Sequence, residues 1–397
     1  MNWSLVYKLA STTWGSEELT VASDVLASNS LTMGQHVEEF EKLFSRYIGT
    51  KYAVMFNSGS SANLAILTAL KYVKNSGILE GANIIVPAVS WSTTFYPVMQ
   101  NGFVLNFVDI DIDTLNIDIS KIEAAINSET KAIFAVNLLG NPSDLVELRT
   151  IADKHNLLLI EDNCESLGAS INGKMAGSFG IASSHSFFFS HHICTIEGGM
   201  VNTNSKELME TLVSLRAHGW TRGLEMNNSV FPKSNDTWED LYRFVLPGYN
   251  LRPTELSGAI GIEQLNKFPN FLNMRRKNAI VFSDLFKKNK NYRIQVENGK
   301  SSWFGFSIIL QNKLKGSRKQ LIEFLTKNRV ETRPIVAGNF TSNPVMRHLK
   351  HLPLPPLPIA DIVQNDGFFI GNHHFDVSHG ISQVYSLLEE FERGAVD

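Results

Sequence analysis

Residues 132–163 read AIFAVNLLGNPSDLVELRTIADKHNLLLIEDN, which is two apolar runs separated by a helical pattern. The runs at 132–136 and 157–160 have the length of buried strands, whereas residues 144–155 repeat apolar side chains at helical spacing. Two such strands joined by a helix pack as neighbours in a parallel sheet, with a right-handed crossover. This stretch therefore predicts an α/β fold.

The same alternation of strand and helix patterns extends from about residue 50 to residue 205. It predicts an α/β fold class with a mostly parallel central sheet. Ligands bind such sheets beyond the carboxyl ends of the strands, so the functional residues are expected there. The further patterns are the strands YAVMF (52–56), NIIVPA (83–88) and FVLNFVDI (103–110) and the helices SANLAILTAL (61–70) and KIEAAI (121–126).

The remainder of the chain is organised differently. Residues 222–247 show no regular spacing of apolar side chains and are interpreted as a long excursion of the chain, or flap, outside the regular helices and strands. Beyond about residue 265, the basic helical stretch RRKNAIVFSDLFKKNK and the strand-like WFGFSIIL (303–310) indicate a smaller C-terminal α+β domain. We therefore predict a large domain with an N-terminal helical segment over 1–260 and a small domain over 261–397.

The composition argues against several classes of function. The chain has 397 residues and a formal net charge of −3, and its Lys and Arg residues form no basic stripe of the kind that a nucleic-acid binder needs. No apolar run approaches the ~20 residues that span a bilayer. The first residues, MNWSLVYKLA, lack the apolar core of a secretory signal. We predict a cytoplasmic protein that binds neither nucleic acid nor membranes.

The turn Ser58, Gly59, Ser60 follows the strand YAVMF and opens a helix. Backbone N–H groups of a Gly/Ser turn at the start of a helix form a phosphate site. A serine at this position is also an ordinary helix cap. The turn is therefore a candidate phosphate site.

Two other strand ends carry candidate residues. Trp91 follows the strand NIIVP, where an aromatic ring either stacks on a flat heterocycle or packs in the interior. Asp162 ends the run LLLIED and is either a turn residue or a carboxylate that faces a ligand. Glu165 follows three residues later and is expected to line the same pocket.

The segment SFFFSHHICTIEGG (186–199) decides the chemistry. Together with the ordered motifs SGSSAN, VPAVSWST, LLGNP, EDN and GYNLRPTE, it resembles the DegT/StrS aminotransferase family of sugar-modifying enzymes, which use pyridoxal 5′-phosphate (PLP). The resemblance runs from about residue 29 to the C-terminus. In that family the segment reads approximately SFxxxKxxxxxEGG, and its lysine binds PLP covalently. Counting back six residues from Glu197 places His191 there, and an imidazole relays protons but cannot hold PLP covalently.

The resemblance implies the fold type I architecture of the PLP-dependent, aspartate aminotransferase-like enzymes. It also implies that the serine turn and the Ser186 hydroxyl contact the cofactor phosphate and that Trp91 lies over the cofactor ring. By the same resemblance, Asp162 pairs with the ring nitrogen. The cofactor-binding residues implied in this way are Ser58, Gly59, Ser60, Trp91, Asp162, Glu165, Ser186 and Asn250.

Three further residues are implicated by the resemblance. Relatives use the asparagine matching Asn250 to reach the cofactor of the partner subunit, which implies a homodimer with composite active sites. His218, in LRAHGW, matches a histidine near the active site of the family's dehydratase branch, although a histidine at a helix end is an equally good interpretation. Arg333 is a candidate for binding a carboxylate or diphosphate of the substrate.

The dehydratase branch removes the C3 hydroxyl from nucleotide-linked 4-keto-6-deoxyhexoses, and the chain resembles this branch most. The resemblance implies a role in deoxysugar biosynthesis for the O-antigen of lipopolysaccharide. It implies that the cofactor enters as pyridoxamine 5′-phosphate (PMP), that L-glutamate re-aminates it, and that ammonia is released. GDP-4-keto-6-deoxymannose is favoured as the substrate by resemblance alone. His191 would accept a proton from C4′ of the cofactor and return it to the departing hydroxyl.

Two alternative functions remain open at this point. A nucleotide-sugar 4-aminotransferase of the perosamine synthase kind would need another lysine beside the cofactor, and Lys174 is the nearest candidate in the sequence. A non-catalytic, PLP-binding regulator would have no reason to keep an imidazole together with Trp91 and Asp162.

No metal centre is expected. Cys164 and Cys194 are the only cysteines, which is too few for the four thiolate ligands of an iron-sulfur cluster. The adjacent His191 and His192 point apart in an extended segment or tight turn, and no third ligand lies at a suitable spacing.

Overall fold

The computed structural model describes residues 7–74, 76–234 and 236–394. The strands are β1 (Tyr52–Phe56), β2 (Asn83–Pro87), β3 (Val104–Val108), β4 (Thr130–Val136), β5 (Leu158–Asp162), β6 (Ser170–Ile171), β7 (Lys174–Met175), β8 (Ala182–Ser186), β9 (Gly199–Thr203), β10 (Tyr292–Ile294), β11 (Gly305–Leu310), β12 (Thr332–Arg333) and β13 (Gly367–Gly371). The helices are α1 (Ser16–Ser28), α2 (Gln35–Ile48), α3 (Gly59–Leu70), α4 (Ser92–Gln100), α5 (Ile119–Ala125), α6 (Leu145–Lys154), α7 (Lys206–Arg216), α8 (Thr237–Asp240), α9 (Glu255–Phe286), α10 (Arg318–Lys327), α11 (Pro358–Asp366) and α12 (Ser378–Gly394).

Seven strands form the central sheet in the order β1-β9-β8-β5-β4-β2-β3. Every pair in this sheet is parallel except those made by β9, which runs antiparallel to both of its neighbours. Strands β4 and β5 pair directly, from Ala132 beside Leu158 to Val136 beside Asp162, with α6 as the crossover between them. The predicted mostly parallel sheet is therefore confirmed.

Helices cover both faces of the central sheet, because its strands present apolar side chains to each face in alternation. On β2, Ile84 and Val86 pack with apolar residues of α3, α4 and α7, whereas Ile85 packs with residues of α5 and α6 on the other side. All three are completely buried. Because helices cover both faces, polar side chains of the sheet can reach a cavity only at the strand ends.

A second sheet, in the order β10-β11-β13-β12, is antiparallel throughout and packs with α9, α10 and α12. Helix α9 begins after Thr254, whose hydroxyl accepts a hydrogen bond from Ser257 N, and it continues through residues 260 and 261. Tyr7 packs with the core of this second sheet and forms a bridge with Val330. The division into domains at 260/261 stays a prediction.

Within the described ranges, no helix is both long enough and apolar enough to cross a bilayer.

Candidate active site

The carboxyl ends of β1, β2, β5 and β8 meet at a cavity of about 710 Å³. These strands run in the same direction, so the residues that follow them lie at one edge of the sheet. Side chains from the second sheet and its connections close the opposite side of the cavity. The predicted site residues that line it are Ser58, Gly59, Ser60, Trp91, Asp162, Glu165, Ser186, His191 and Arg333.

The turn between β1 and α3 lies directly against the end of β8. Ser58 caps α3, because its hydroxyl accepts a hydrogen bond from Ser61 N at 3.1 Å. A Cβ atom on Gly59 would lie 2.6 Å from the Cβ of Ser186 and 2.9 Å from the Sγ of Cys164, so only glycine fits there. The first N–H groups of α3 have no partner within the helix and are suited to an anion.

Asp162 is held in a fixed orientation at the end of β5, where it is only 6% exposed. Its Oδ2 accepts hydrogen bonds from Asn63 Nδ2 at 2.8 Å and from the Thr94 hydroxyl at 2.9 Å. Its Oδ1 accepts a bond from Cys164 N at 3.1 Å. Donors from α3, α4 and the β5 turn thus fix both oxygens of a carboxylate that lines the cavity.

Trp91 is at the N-cap position of α4, directly before its first residue. Its side chain lines the cavity and is nevertheless 59% exposed. A large aromatic ring left open beside a cavity is available to stack on a flat ligand.

His191 lies in the loop between β8 and β9. Its backbone N–H donates to Phe188 O at 2.9 Å, and its ring meets the ring of Phe304 edge-on, with centroids 5.4 Å apart. Its Nδ1 is buried and has no hydrogen-bond partner among the described residues. Burial, and secondarily the charge of Arg275, lower the pKa of His191 to about 3. The imidazole is therefore neutral at physiological pH.

Glu165 is a second titratable side chain that lines the same cavity. Its Oε2 accepts a hydrogen bond from Leu139 N at 3.0 Å. Burial, opposed by that hydrogen bond and reinforced by the charge of Asp162, raises the pKa of Glu165 to about 7. This carboxyl group is thus poised to gain or lose a proton near neutral pH.

The comparisons with known proteins agree with this geometry. The model of the DegT/DnrJ/EryC1/StrS aminotransferase family matches residues 13–378. The chain belongs to this family. GDP-4-keto-6-deoxy-D-mannose 3-dehydratase of Yersinia pseudotuberculosis is 47% identical over 386 residues, which are 97% of this chain and 98% of that one.

Two solved structures of this family are also very similar to the chain. The Escherichia coli GDP-4-keto-6-deoxy-D-mannose-3-dehydratase with bound hydrated PLP is 47% identical, with a TM-score of 0.94 over 97% of this chain and 100% of that one. A GDP-4-keto-6-deoxymannose-3-dehydratase with a trapped PLP-glutamate geminal diamine gives the same identity and TM-score over 96% and 100% of the two chains. The predictions of family and of a PLP-dependent, aminotransferase-like fold are confirmed.

Two residues that the family resemblance implicates lie outside the cavity of their own chain. His218 and Asn250 do not line it and instead lie together on a short bridge, where Ala217 pairs with Asn250 and His218 N donates to Tyr249 O at 2.6 Å. His218 packs against Trp220, with ring centroids 4.9 Å apart. Asn250 is exposed, and its Oδ1 accepts a bond from Arg252.

Several residues of the site were missed by the sequence analysis. Asn63 and Thr94 orient Asp162. The available signal was that Asn63 ends the family motif SGSSAN and that Thr94 directly follows the motif VPAVSWST. Cys164 also lines the cavity, where burial, followed by the charge of Asp162, raises the pKa of its thiol. Phe304 comes from a distant part of the chain, and no local pattern could have placed its ring against His191.

Proposed function

We propose that this protein is a PMP/PLP-dependent 3-dehydratase that converts GDP-4-keto-6-deoxymannose into the corresponding 4-keto-3,6-dideoxyhexose. The observation that carries the proposal is His191 in the cofactor cavity, which no lysine lines within the described part of the chain. Lys174, the nearest alternative in sequence, lies on β7 with its Nζ over the ring of Phe179, 4.2 Å from the centroid. It does not line the cavity.

The residues present fit a phosphorylated, flat heterocycle. The open N-terminus of α3 at Gly59 accommodates a phosphate, the exposed indole of Trp91 covers a ring, and the carboxylate of Asp162 binds a protonated ring nitrogen. When bound as PMP, the cofactor supplies an amine for the sugar's 4-ketone and an electron sink for the bonds beside it. Arg333 lines the same cavity, and its guanidinium would bind the substrate diphosphate.

His191 moves the proton that the reaction requires. Since its Nδ1 is buried, Nε2 is the nitrogen that exchanges protons with the cavity. The neutral imidazole first accepts a proton from carbon and then, as imidazolium, donates it to the departing C3 hydroxyl, which leaves as water. A lysine at this position would instead bind the cofactor covalently and favour transamination.

The net reaction consumes one L-glutamate for each hydroxyl removed. Glutamate gives its amino group and two reducing equivalents and leaves as 2-oxoglutarate, while the nitrogen is released as ammonia. The sugar carbon is reduced from CHOH to CH2, and the hydroxyl oxygen leaves in water. Equal amounts of 2-oxoglutarate, ammonia and deoxysugar are therefore expected.

The active form in this proposal is a homodimer with composite sites. Asn250 and His218 lie outside their own cavity, and beside them the rings of Trp220 and Tyr242 are in contact, with centroids 6.0 Å apart. Tyr242 is 70% exposed and Trp238 is 81% exposed. Large exposed aromatic side chains of this kind are typical of a surface that binds another protein.

Mixing two inactive variants tests the composite site. His191→Gln chains and Asn250→Ala chains each form inactive dimers in this proposal, but a mixed dimer has one intact site. Mixing should restore roughly a quarter of the wild-type activity if subunits assort freely. If each site lies within one chain, mixing restores nothing, because every chain carries one of the two defects.

The reaction itself is tested by incubating the protein with PLP, L-glutamate and GDP-4-keto-6-deoxymannose. The expected result is equal release of ammonia and 2-oxoglutarate with loss of one oxygen from the sugar. The His191→Gln variant should lose this activity, and His379→Gln, on α12, is the matched control that should retain it. An amino sugar without free ammonia would indicate the aminotransferase, and bound cofactor without turnover would indicate a regulator.

A further inference from the structure

Arg275, on α9, is a buried cation with an unusual set of partners. The residue is 4% exposed, and its Nη1 donates to the carbonyl oxygens of Trp303 at 3.4 Å, Phe304 at 3.1 Å and Asn372 at 2.9 Å. In the described part of the chain, no carboxylate forms an ion pair with it, and its Nε has no hydrogen-bond partner. A buried charge is normally paired, because leaving it unpaired is costly.

One of the carbonyl groups that Arg275 contacts belongs to Phe304, whose ring meets His191. Phe304 directly precedes β11, and its N–H donates to Leu139 O at 2.9 Å. Its ring lies edge-on to His191 and at 5.7 Å from the ring of His192. The guanidinium therefore fastens the segment that carries Phe304 to helix α9.

Asn372, directly after β13, forms hydrogen bonds with both Arg275 and Trp303. Its Nδ2 donates to Trp303 O at 2.8 Å and to Arg275 O at 3.1 Å, while its own carbonyl accepts from the guanidinium. Asn278, one turn further along α9, donates to the Asn372 side chain at 3.2 Å. Hydrogen bonds thus join helix α9, the segment before β11 and the residue after β13, and the segment before β11 carries the ring that contacts His191.

The charge of Arg275 acts on the same ring. It adds to burial in lowering the pKa of His191, and it acts in the same direction on His192, which is adjacent in the chain. The other charged or titratable groups that line the cavity around His191 are Asp162, Cys164, Glu165, Glu197 and Arg333. None of these is a resolved cause of the shift at His191.

We propose that Arg275 is a positioning residue for His191, which it supports by holding Phe304 against the imidazole. The consequence for catalysis rests on the proposed dehydratase function. Proton transfer by an imidazole depends on a fixed ring orientation, which the contact with Phe304 provides. The effect on the titration of His191 does not depend on which reaction the protein catalyses.

The test is the NMR titration of ¹³C-labelled histidine in the full-length, PMP-loaded protein, with His191 assigned by its loss in His191→Gln. In the wild type, His191 should show no titration midpoint between about pH 5 and 8. Arg275→Met should move the midpoint upward, although it stays below that of a free histidine because burial persists. The matched control is Arg276→Met on the same helix, since Arg276 also donates to backbone carbonyls, of Ser301 and Gly168, but does not act on His191. It should leave the titration unchanged.

Arg275→Lys separates the charge from the geometry. The ammonium keeps the charge, so the titration should remain as in the wild type, but it cannot reproduce the contacts of the guanidinium. We expect kcat to fall by roughly one order of magnitude with little change in KM, because the proton-transfer geometry loosens. Unchanged kcat in this variant would contradict the positioning role.

The outcomes distinguish this proposal from the proposed function. A wild-type midpoint near 6.5, or a folded Arg275→Met protein with unaltered titration, would overturn the role of Arg275 even if dehydration occurs. Should Arg275→Met fail to fold, the kcat of Arg275→Lys decides the positioning role. The expected titration shifts in a protein that does not dehydrate the sugar would support the effect of Arg275 on His191 and overturn the dehydratase.

Discussion

Gly59 and Ser186 lie against each other at the base of the cavity, so close that a Cβ atom on Gly59 would be 2.6 Å from the Cβ of Ser186. Gly59 is the first residue of α3 and Ser186 is the last residue of β8. Their contact brings the N-terminus of the helix to the strand end that carries the predicted phosphate-binding hydroxyl. The cofactor site therefore depends on a missing side chain as much as on the side chains present.

Gly59→Ala should damage this contact. The added methyl group meets the backbone-linked Cβ of Ser186, which cannot rotate away, so we expect a loss of about 1–3 kcal/mol in the free energy of unfolding and weaker PLP binding. Denaturant unfolding and a fluorescence titration with PLP measure the two effects. Gly394→Ala has open space around its added Cβ and should change stability by less than about 0.5 kcal/mol. Equal behaviour of the two variants would contradict the steric argument.

Asp162→Asn should retain the cofactor phosphate contacts but lose the charge that faces the ring nitrogen. Removing a fixed charge from such a site reduces kcat by about two to three orders of magnitude. The amide also turns an NH2 group toward donors such as Asn63 and Thr94, so some stability is lost. Thr94→Val, which removes one donor and keeps the carboxylate, should lower kcat much less. Steady-state kinetics with product quantification compares the two variants.

Glu165 should make stability depend on pH. Its folded pKa, about 7, lies above the unfolded value of 4.5, so the folded protein binds the proton more tightly. This contribution is fully present below pH 4.5 and is lost as the pH rises through 7. The free energy of unfolding is measured for cofactor-free wild type and for cofactor-free Glu165→Gln. The difference, wild type minus variant, should fall by up to roughly 3 kcal/mol as the pH rises through this window. A pH-independent difference would show that the carboxyl titrates normally.

His191→Lys should convert the cavity into one that binds PLP covalently. The lysine amine can attack the cofactor aldehyde, so borohydride reduction should add the cofactor mass to the protein, and dehydration should fall at least about a hundredfold. The control His191→Gln should lose dehydration without retaining the reduced cofactor. Intact-protein mass spectrometry and the ammonia assay provide the measurements. Dehydration by His191→Lys at close to the original rate would refute the role assigned to His191.

The strand pattern was predictable from sequence where the strands are apolar. β1, β2, β4 and β5 occur where YAVMF, NIIVPA, AIFAV and LLLIED indicated them, because strands covered by helices on both faces are mostly apolar on both faces. β8 was not predictable in this way, since its sequence, ASSHS, is polar. It is buried because its side chains find partners, among them the Ser183 hydroxyl, which donates to Gly177 O at 2.7 Å.

The strand β11 of the second sheet was predictable from the sequence, but its relation to the site was not. The run WFGFSIIL indicated a strand, and β11 occupies residues Gly305–Leu310 of it. Nothing in that run indicated that Phe304 would face His191, because the contact joins residues more than a hundred positions apart. Local patterns report the periodicity of burial but not which distant surface causes it.

The sequence by itself determined the fold class and the imidazole that takes the place of the family's lysine, since apolar periodicity and the histidine at position 191 are both local properties. Tertiary structure alone decided the state of that histidine. Burial beside Phe304 and the charge of Arg275 set its pKa, and Arg275 comes from α9, far along the chain. Electrostatic and packing effects depend on distance in space. The sequence therefore specifies the imidazole at position 191, and the fold sets its protonation.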